Sequence, residues 1–123
     1  LFIILCIVNV YMKQLCVLLL SLFLLSACDK KISYDVSYCV LEKIETYKAK
    51  GDSTEVIGIY QYYFDNQVCY LLNAACCDMF NKLIDADCNT ICLPSGGIAG
   101  TGDGKCPTFN KDAVLIKTIW EKD

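Results

Sequence analysis

Cysteine thiols are the residues of this chain whose type and spacing most restrict its chemistry. The sequence of 123 residues contains ten cysteines and no histidine. Without histidine there is no Ser–His or Cys–His pair that could activate a nucleophile. No Cys-x-x-Cys spacing is present to mark a zinc site or a thioredoxin-type redox site. We therefore expect disulfide bonds from these thiols, and we expect neither enzymatic activity nor a cofactor.

Six cysteines are candidates for disulfide bonds, and a seventh is left over. The candidates are Cys39, Cys76, Cys77, Cys88, Cys92 and Cys106. Cys69 lies in a predicted strand where tyrosine or valine would serve equally well, so we assign it as the free thiol. A bridge between the neighbours Cys76 and Cys77 would need a distorted backbone. The connectivity stays open among the pairings that avoid this bridge.

Side chains with oxygen ligands near these cysteines form a candidate metal site. Two acids and an amide have the spacing of the first oxygen ligands of a calcium loop: Asp85, Asp87 and Asn89. The second half of that loop is missing, because Thr90 occupies the glycine position and Gly96 the position of the bidentate glutamate. The simpler interpretation is a turn whose side chains bond to their own backbone. An irregular calcium site that adds Asp78 or Asp103 is the alternative.

A glycine-rich segment is the candidate binding loop. Its residues are Ser95, Gly96, Gly97, Gly100, Gly102, Asp103, Gly104 and Lys105. It is not a phosphate loop, because the first glycine of that motif would fall on Ala99 and the hydroxyl residue on Cys106. The glycines instead predict a loop with unusual backbone angles, closed by bonds at Cys92 and Cys106. Such a loop can present itself to a partner, as the reactive-site loops of small inhibitors do.

Three elements are predicted to position these residues. A helix is predicted to begin near Ser37 and to stop at Gly51. One of its faces carries the residues at helical spacing, which are Val40, Leu41, Ile44, Tyr47 and Lys48. Two strands, Val56–Phe64 and Val68–Leu72, form a hairpin around Asp65-Asn66. A last strand covers Ala113–Trp120, and because its apolar residues do not keep one parity, it has either a bulge or both faces buried.

The predicted fold class is α+β: one amphipathic helix packed on a small antiparallel sheet, with a long disulfide-braced glycine-rich loop. We assign Tyr47 to the core and Trp120 to a lid over it. The hairpin tyrosines are interpreted as cross-strand pairs, with an aromatic binding surface as the alternative. These tyrosines are Tyr60, Tyr62, Tyr63 and Tyr70.

The amino-terminal region is predicted to direct the chain out of the cytoplasm. Met12 and Lys13 precede an apolar run, Leu15–Leu25, that is shorter than the roughly 20 residues of a membrane span and typical of a secretory signal. The Leu-Ser-Ala-Cys sequence that follows resembles the bacterial lipobox. That resemblance implies that residues 12–27 are removed and that Cys28 carries a lipid.

The rest of the chain is divided accordingly. Residues 1–11 are interpreted as an extension upstream of a true start at Met12. The alternative is a transmembrane helix over residues 1–25, which would place Lys13 in mid-bilayer at a cost of about 2.5–3.5 kcal/mol. Residues 28–37 form a tether, and residues 38–123 form one domain. We expect a lipid-anchored protein of the bacterial cell envelope, with the inner membrane, the outer membrane and the cell surface all left open.

The charge of the chain bears on its partners. Its formal net charge is −3, and it contains no arginine. Because neutralisation of phosphates supplies most of the affinity for nucleic acids, we expect no nucleic-acid partner. The expected partners are the membrane, through the lipid on Cys28, and a protein of unknown identity.

Several short motifs together resemble a domain of unknown function found in small bacterial lipoproteins. They are Cys76-Cys77-Asp78, Cys88-Asn89-Thr90-Ile91-Cys92, Pro94-Ser95-Gly96-Gly97 and Gly102-Asp103-Gly104-Lys105-Cys106-Pro107. The resemblance extends from Tyr38 to Lys122, and it implies that the six candidate cysteines are shared and that position 69 is usually aromatic. No catalytic residue comes with it. We therefore expect a structural or partner-binding role, with a disulfide-braced inhibitor or a calcium-binding module as alternatives, and a transmembrane anchor as the alternative to the lipid.

Overall fold

The computed structural model of the chain describes residues 1–23, 34–76 and 78–123, without the side chains of residues 16–23. Cys28 and Cys77 lie outside the described residues. The chain divides into two compact units, residues 1–31 and residues 32–123. The first contains helix α1, Phe2–Phe23. No helix among the described residues is both long and apolar enough to cross a membrane.

The second unit is an α+β domain, as predicted. Its described elements are helix α2 (Tyr38–Lys50), a 3₁₀ turn (Gly51–Ser53), strands β1 (Val56–Phe64), β2 (Gln67–Ala74), β3 (Phe80–Ile84) and β4 (Thr90–Gly96), helix α3 (Phe109–Asp112) and strand β5 (Val114–Glu121). The strands form one antiparallel sheet in the order β4-β3-β2-β1-β5.

Helix α2 begins and ends where the sequence indicates. The Ser37 hydroxyl accepts a hydrogen bond from the backbone N–H of Val40 at 3.3 Å, which satisfies one of the free donors of the first turn. Gly51 ends the helix with φ +53°. Val40 and Ile44 are buried, but Leu41 is 46% exposed. The buried stripe is therefore narrower than predicted.

The first hairpin follows from its turn. Asp65 and Asn66 have φ values of +47° and +63°, and Phe64 pairs with Gln67 across them. Two residues with positive φ give the turn whose twist matches that of the flanking strands. Strand β2 runs two residues further than predicted, to Ala74. Of the two alternatives for the last strand, the bulge is confirmed, because the pairing of β1 with β5 shifts register twice.

The sheet has two strands that the sequence analysis did not predict, β3 and β4. The predicted long loop covers both, so Ser95 and Gly96 lie in a strand and not in a loop. These strands carry few β-branched or aromatic residues, and β4 contains Pro94. A proline is tolerated there because β4 is an edge strand with one side free of sheet partners.

Apolar residues are buried on both faces of the sheet. Between α2 and the sheet, Val40 and Ile44 of the helix meet the sheet residues Ile59, Tyr70, Leu72 and Ile84. On the opposite face lie Cys69, Leu83, Cys92 and Phe109. Phe109 packs edge-on against Tyr62 and Phe64, each at a centroid distance of 5.2 Å. Helix α3 and the segment before it thus cover the second face.

The hairpin tyrosines do not form a joint binding surface. Tyr70 is buried under α2, whereas Tyr62 packs against Phe109 on the other face. The hydroxyl of Tyr60 donates to Glu121 at 2.8 Å, and that bond raises the pKa of Tyr60. Trp120 stacks on Tyr47 at a centroid distance of 6.1 Å, beside the core under α2.

Residues 34–37 are fastened to the sheet and are not part of a free tether. The Tyr70 hydroxyl donates to the Asp35 carbonyl at 3.3 Å and accepts from the Ser37 N–H at 3.1 Å. Gln61, which is fully buried, donates to the Tyr34 carbonyl at 3.1 Å. The hydrogen-bonded part of the domain therefore begins at Tyr34, within the last residues of the predicted tether.

Two disulfide bonds are described, and the prediction of disulfides is confirmed. Cys39 pairs with Cys88, which joins the first turn of α2 to the turn between β3 and β4. Cys92 pairs with Cys106, which closes the glycine-rich segment. Both pairings avoid the bridge between neighbours.

The two bonds are expected to differ in their contribution to stability. Closure entropy grows with loop length, and the bonds span 49 and 14 residues. Replacing Cys39 and Cys88 together with serine should lower the free energy of unfolding by about 4 kcal/mol, and replacing Cys92 and Cys106 together by about 3 kcal/mol. Urea unfolding of the two double variants measures both losses, and the reverse order would contradict this account.

Candidate functional site

The glycine loop, residues 97–105, is the candidate site. Gly97, Gly100, Gly102 and Gly104 have φ values of +73°, +71°, +73° and +75°. A residue with a Cβ pays about 1–2 kcal/mol to adopt this left-handed conformation, whereas glycine adopts it freely. The glycines thus give the loop a backbone path that other residues would resist.

Backbone hydrogen bonds attach the glycine loop to the edge of the sheet. The N–H of Asp103 donates to the Leu93 carbonyl at 2.8 Å, and the N–H of Gly102 donates to the Gly96 carbonyl at 3.2 Å. The N–H of Gly97 donates to the Met79 carbonyl at 3.1 Å. The bonds to Leu93 and Gly96 occupy carbonyls of β4 that would otherwise be open to another strand.

Close approach adds a second requirement for glycine. A Cβ at Gly102 would overlap the carbonyl oxygen of Leu93, and a Cβ at Gly97 would overlap the ring of Phe80. At Gly104 there is open space around the same position. Gly102 is therefore required by both conformation and packing, and Gly104 by conformation alone.

The polar residues of the loop are engaged within it. One carboxylate oxygen of Asp103 accepts from the N–H of Lys105 at 3.0 Å, and the other lies 4.0 Å from the Lys105 ammonium. The disulfide between Cys92 and Cys106 closes the loop at its base. These contacts hold the loop in shape, and the Lys105 side chain remains 73% exposed at its base.

Ile98 occupies the tip of the loop and is 96% exposed. It was not among the predicted site residues. A branched apolar side chain between Gly97 and Gly100 is the sequence signal that would have pointed to it. At the base of the loop an open cavity of about 430 Å³ lies between Lys105 to Thr108 and the turn after β1.

The candidate calcium residues form a turn instead. One oxygen of the Asp85 carboxylate accepts from the N–H groups of Asp87 and Asn89, at 2.9 and 2.8 Å. The other accepts from the Asn89 amide at 3.1 Å. The Asp85 carboxylate thus closes a short turn on its own backbone. Among the described residues, no three metal-ligating side chains of the His, Cys, Asp or Glu type are grouped, so Asp78 and Asp103 do not complete a site.

Cys69 is a free thiol buried on the face of the sheet opposite α2. Its Sγ donates to the Tyr62 carbonyl at 3.7 Å. Burial raises its pKa from the ordinary value of 9.0 to about 11. Cys76 is exposed beyond the end of β2.

Comparison with known proteins gives one match. A family model described as a domain of unknown function (DUF6970) matches residues 45–122. The matched segment includes the hairpins, the glycine loop and β5. No curated protein and no solved structure matches the chain.

Two glycine substitutions separate conformation from packing in the loop. Gly104→Ala should cost about 1–2 kcal/mol of unfolding free energy, the cost of left-handed backbone alone. Gly102→Ala should cost about 3 kcal/mol or more, because its Cβ also displaces the Leu93 carbonyl. Urea unfolding compares the two variants, and equal losses would show that packing at Gly102 is not limiting.

The Cys69 thiol should resist alkylation in the folded protein. At neutral pH a thiol with a pKa of about 11 is almost wholly protonated, and only the thiolate reacts. Site-resolved mass spectrometry after iodoacetamide treatment should find Cys69 unlabelled in buffer and labelled in guanidinium.

Since the folded pKa is the higher one, the stability from protonated Cys69 is complete below pH 9 and is lost as the pH rises to about 11. Rapid alkylation of Cys69 in the folded protein at neutral pH would contradict a buried, protonated thiol.

Proposed function

Because this chain belongs to the DUF6970 family, whose function is unknown, we propose a function from the geometry of its own domain. The domain is a binding module of the bacterial cell envelope, held at the membrane by a lipid on Cys28. It contacts a protein partner through the glycine loop, with Ile98 as the apolar contact. It has no catalytic role in this proposal.

The full exposure of Ile98 on a constrained loop is the observation that carries the proposal. Burying an isoleucine side chain against a partner contributes about 1.5–3 kcal/mol. Much of that gain is lost when a mobile loop must be ordered on binding. Here the loop is already fixed by glycines of positive φ, by backbone bonds to the sheet and by the Cys92–Cys106 disulfide.

The surroundings of Ile98 fit the same use. Ala99, Gly100 and Thr101 are exposed beside it, and Lys105 and Thr108 lie exposed at the loop base. An apolar centre with a polar rim is the usual composition of a protein interface. The cavity between the loop base and the turn after β1 offers a recess in which a partner side chain fits.

Anchoring at Cys28 is supported by the sequence and by the oxidation state. The Leu-Ser-Ala-Cys sequence ends an apolar run of signal length. The two disulfides are typical of a protein that folds outside the reducing cytoplasm.

Protease inhibition is a second candidate for the same loop. A rigid exposed loop closed by a disulfide is the arrangement by which small inhibitors present an apolar residue to a protease. The 14-residue closure between Cys92 and Cys106 favours it. A calcium-binding role has less support, because the Asp85 carboxylate is occupied by its own turn.

Photocrosslinking in native membranes tests the binding proposal. A benzophenone amino acid at position 98 should give one dominant crosslinked product, and the same group at Val114, which is 61% exposed on β5, should not. Excess unlabelled domain should compete with the product, and Gly102→Ala should weaken it by displacing the loop. If the product that the unlabelled domain displaces is a protease, and the domain lowers its proteolytic activity, the result would identify inhibition. No product at position 98, or equal products at both positions, would refute the proposal.

A further inference from the structure

The ordered domain begins close to the proposed lipid site, and this limits how it can be oriented. We infer that the domain rests on the lipid surface through Tyr34, Tyr38 and Leu41, while the glycine loop is directed elsewhere. The inference rests on the proposed lipid on Cys28. It assigns a membrane-contact surface to residues that the loop-binding proposal does not use.

Covalent geometry sets the distance. Six peptide units connect Cys28 to Tyr34. A chain spans at most about 3.3–3.6 Å per residue, so Tyr34 lies within about 20 Å of the acylated residue. That is less than the diameter of a small domain, so the end of the domain that carries Tyr34 is the end nearest the bilayer.

Buried hydrogen bonds fix the direction from which the chain enters the domain. The Tyr70 hydroxyl holds the backbone of Asp35 and Ser37, and the Gln61 amide holds the carbonyl of Tyr34. Both side chains are buried, and Gln61 also donates to the Tyr70 hydroxyl at 3.3 Å. Because residues 34–37 are fastened at three backbone groups, they cannot lengthen the tether without breaking this network.

The residues at this entry point have the chemistry of a membrane interface. Tyr38 is 82% exposed, Tyr34 is 49% exposed and Leu41 is 46% exposed. Tyr38 and Leu41 are three residues apart on α2, so they lie side by side on its first turn. Tyrosine rings are enriched at the level of lipid headgroups, where the ring is buried and the hydroxyl stays hydrated.

Charge is not the source of this contact. Asp35 and Glu42 are exposed next to the three apolar residues, and they would be repelled by anionic lipid. The tether adds Asp29, Lys30 and Lys31, so these five charged residues sum to −1. The contact should therefore form on zwitterionic phosphatidylcholine, once the acyl chains hold the domain at the surface.

The glycine loop provides a matched comparison. Helix α2 covers one face of the sheet, whereas the loop begins at edge strand β4 and ends at Cys106 on the other face. Ile98 is at least as exposed as Tyr38. A probe at position 38 or at position 98 therefore lies outside the protein core. In this orientation only the probe at position 38 faces the lipid.

Tryptophan fluorescence in vesicles tests the orientation. The full lipidated chain is prepared with Trp120→Phe and either Tyr38→Trp or Ile98→Trp, and is placed on vesicles of phosphatidylcholine with brominated acyl chains. Tryptophan at position 38 should be quenched several-fold more than at position 98. Equal quenching, or stronger quenching at position 98, would overturn the inference. Circular dichroism of each variant checks that the domain remains folded.

A second measurement keeps the test independent of the core residue Trp120. In the otherwise native chain, hydrogen exchange of the first turn of α2 should slow on vesicles, and Tyr38→Ser with Leu41→Ser should remove that protection. Detergent-phase partitioning that is lost in Cys28→Ser supports the lipid anchor. Partitioning that depends on Cys28, without quenching at position 38 or protection of α2, refutes the orientation alone. Partitioning that is absent, or unchanged in Cys28→Ser, refutes the anchor and the orientation with it.

Discussion

A sheet with apolar residues on both faces must be covered twice, and this domain has one helix of 13 residues for that purpose. The second face is covered by Cys106, Phe109 and Ala113, and the glycine loop that precedes them is attached to the edge of β4. The segment from Gly97 to Ala113, of which four residues are helical, makes few hydrogen bonds of its own, so other contacts must order it. The segment is ordered by its glycine turns, by bonds to carbonyls of β4, by the Cys92–Cys106 disulfide and by the packing of the Phe109 ring. The rigidity of the glycine loop thus comes from its backbone bonds to the edge of β4 and from the disulfide that ties its base to Cys92.

The elements that local sequence determines were predictable. Ser37 and Gly51 mark both ends of α2, and Asp65-Asn66 permits the tight turn of the first hairpin. Strands β3 and β4 were missed because their alternation is weak and because β4 contains a proline that only an edge position tolerates. Leu41 lay on the predicted helical face, but packing selects the narrower stripe through Val40 and Ile44. The fastening of Tyr34 depends on Gln61 and Tyr70, which no local pattern connects to it.

The candidate site was predictable in composition but not in geometry. Clustered glycines indicated an unusual backbone, and their φ values agree. Which cysteines pair is decided by the placement of α2 beside the turn between β3 and β4, which is a long-range property of the fold. The residues spaced like calcium ligands illustrate the opposite case, since the Asp85 carboxylate accepts its hydrogen bonds from a short turn that ends at Asn89. Ile98 could not be singled out from the sequence, because its significance depends on its exposure and on the constrained backbone of the loop that carries it.

The unpaired thiol of Cys69 has a consequence for biogenesis. An odd cysteine in an oxidising compartment can capture a partner that belongs to another bond, and the resulting scrambled species must be rearranged. Cys69 lies in the hairpin of β1 and β2, which is closed by two residues. Hairpins form within about 1–10 μs, whereas disulfides form over seconds to hours. Strand pairing is therefore fast enough to bury this thiol before a disulfide forms, so the hairpin itself can keep Cys69 out of the bonds made by the other cysteines.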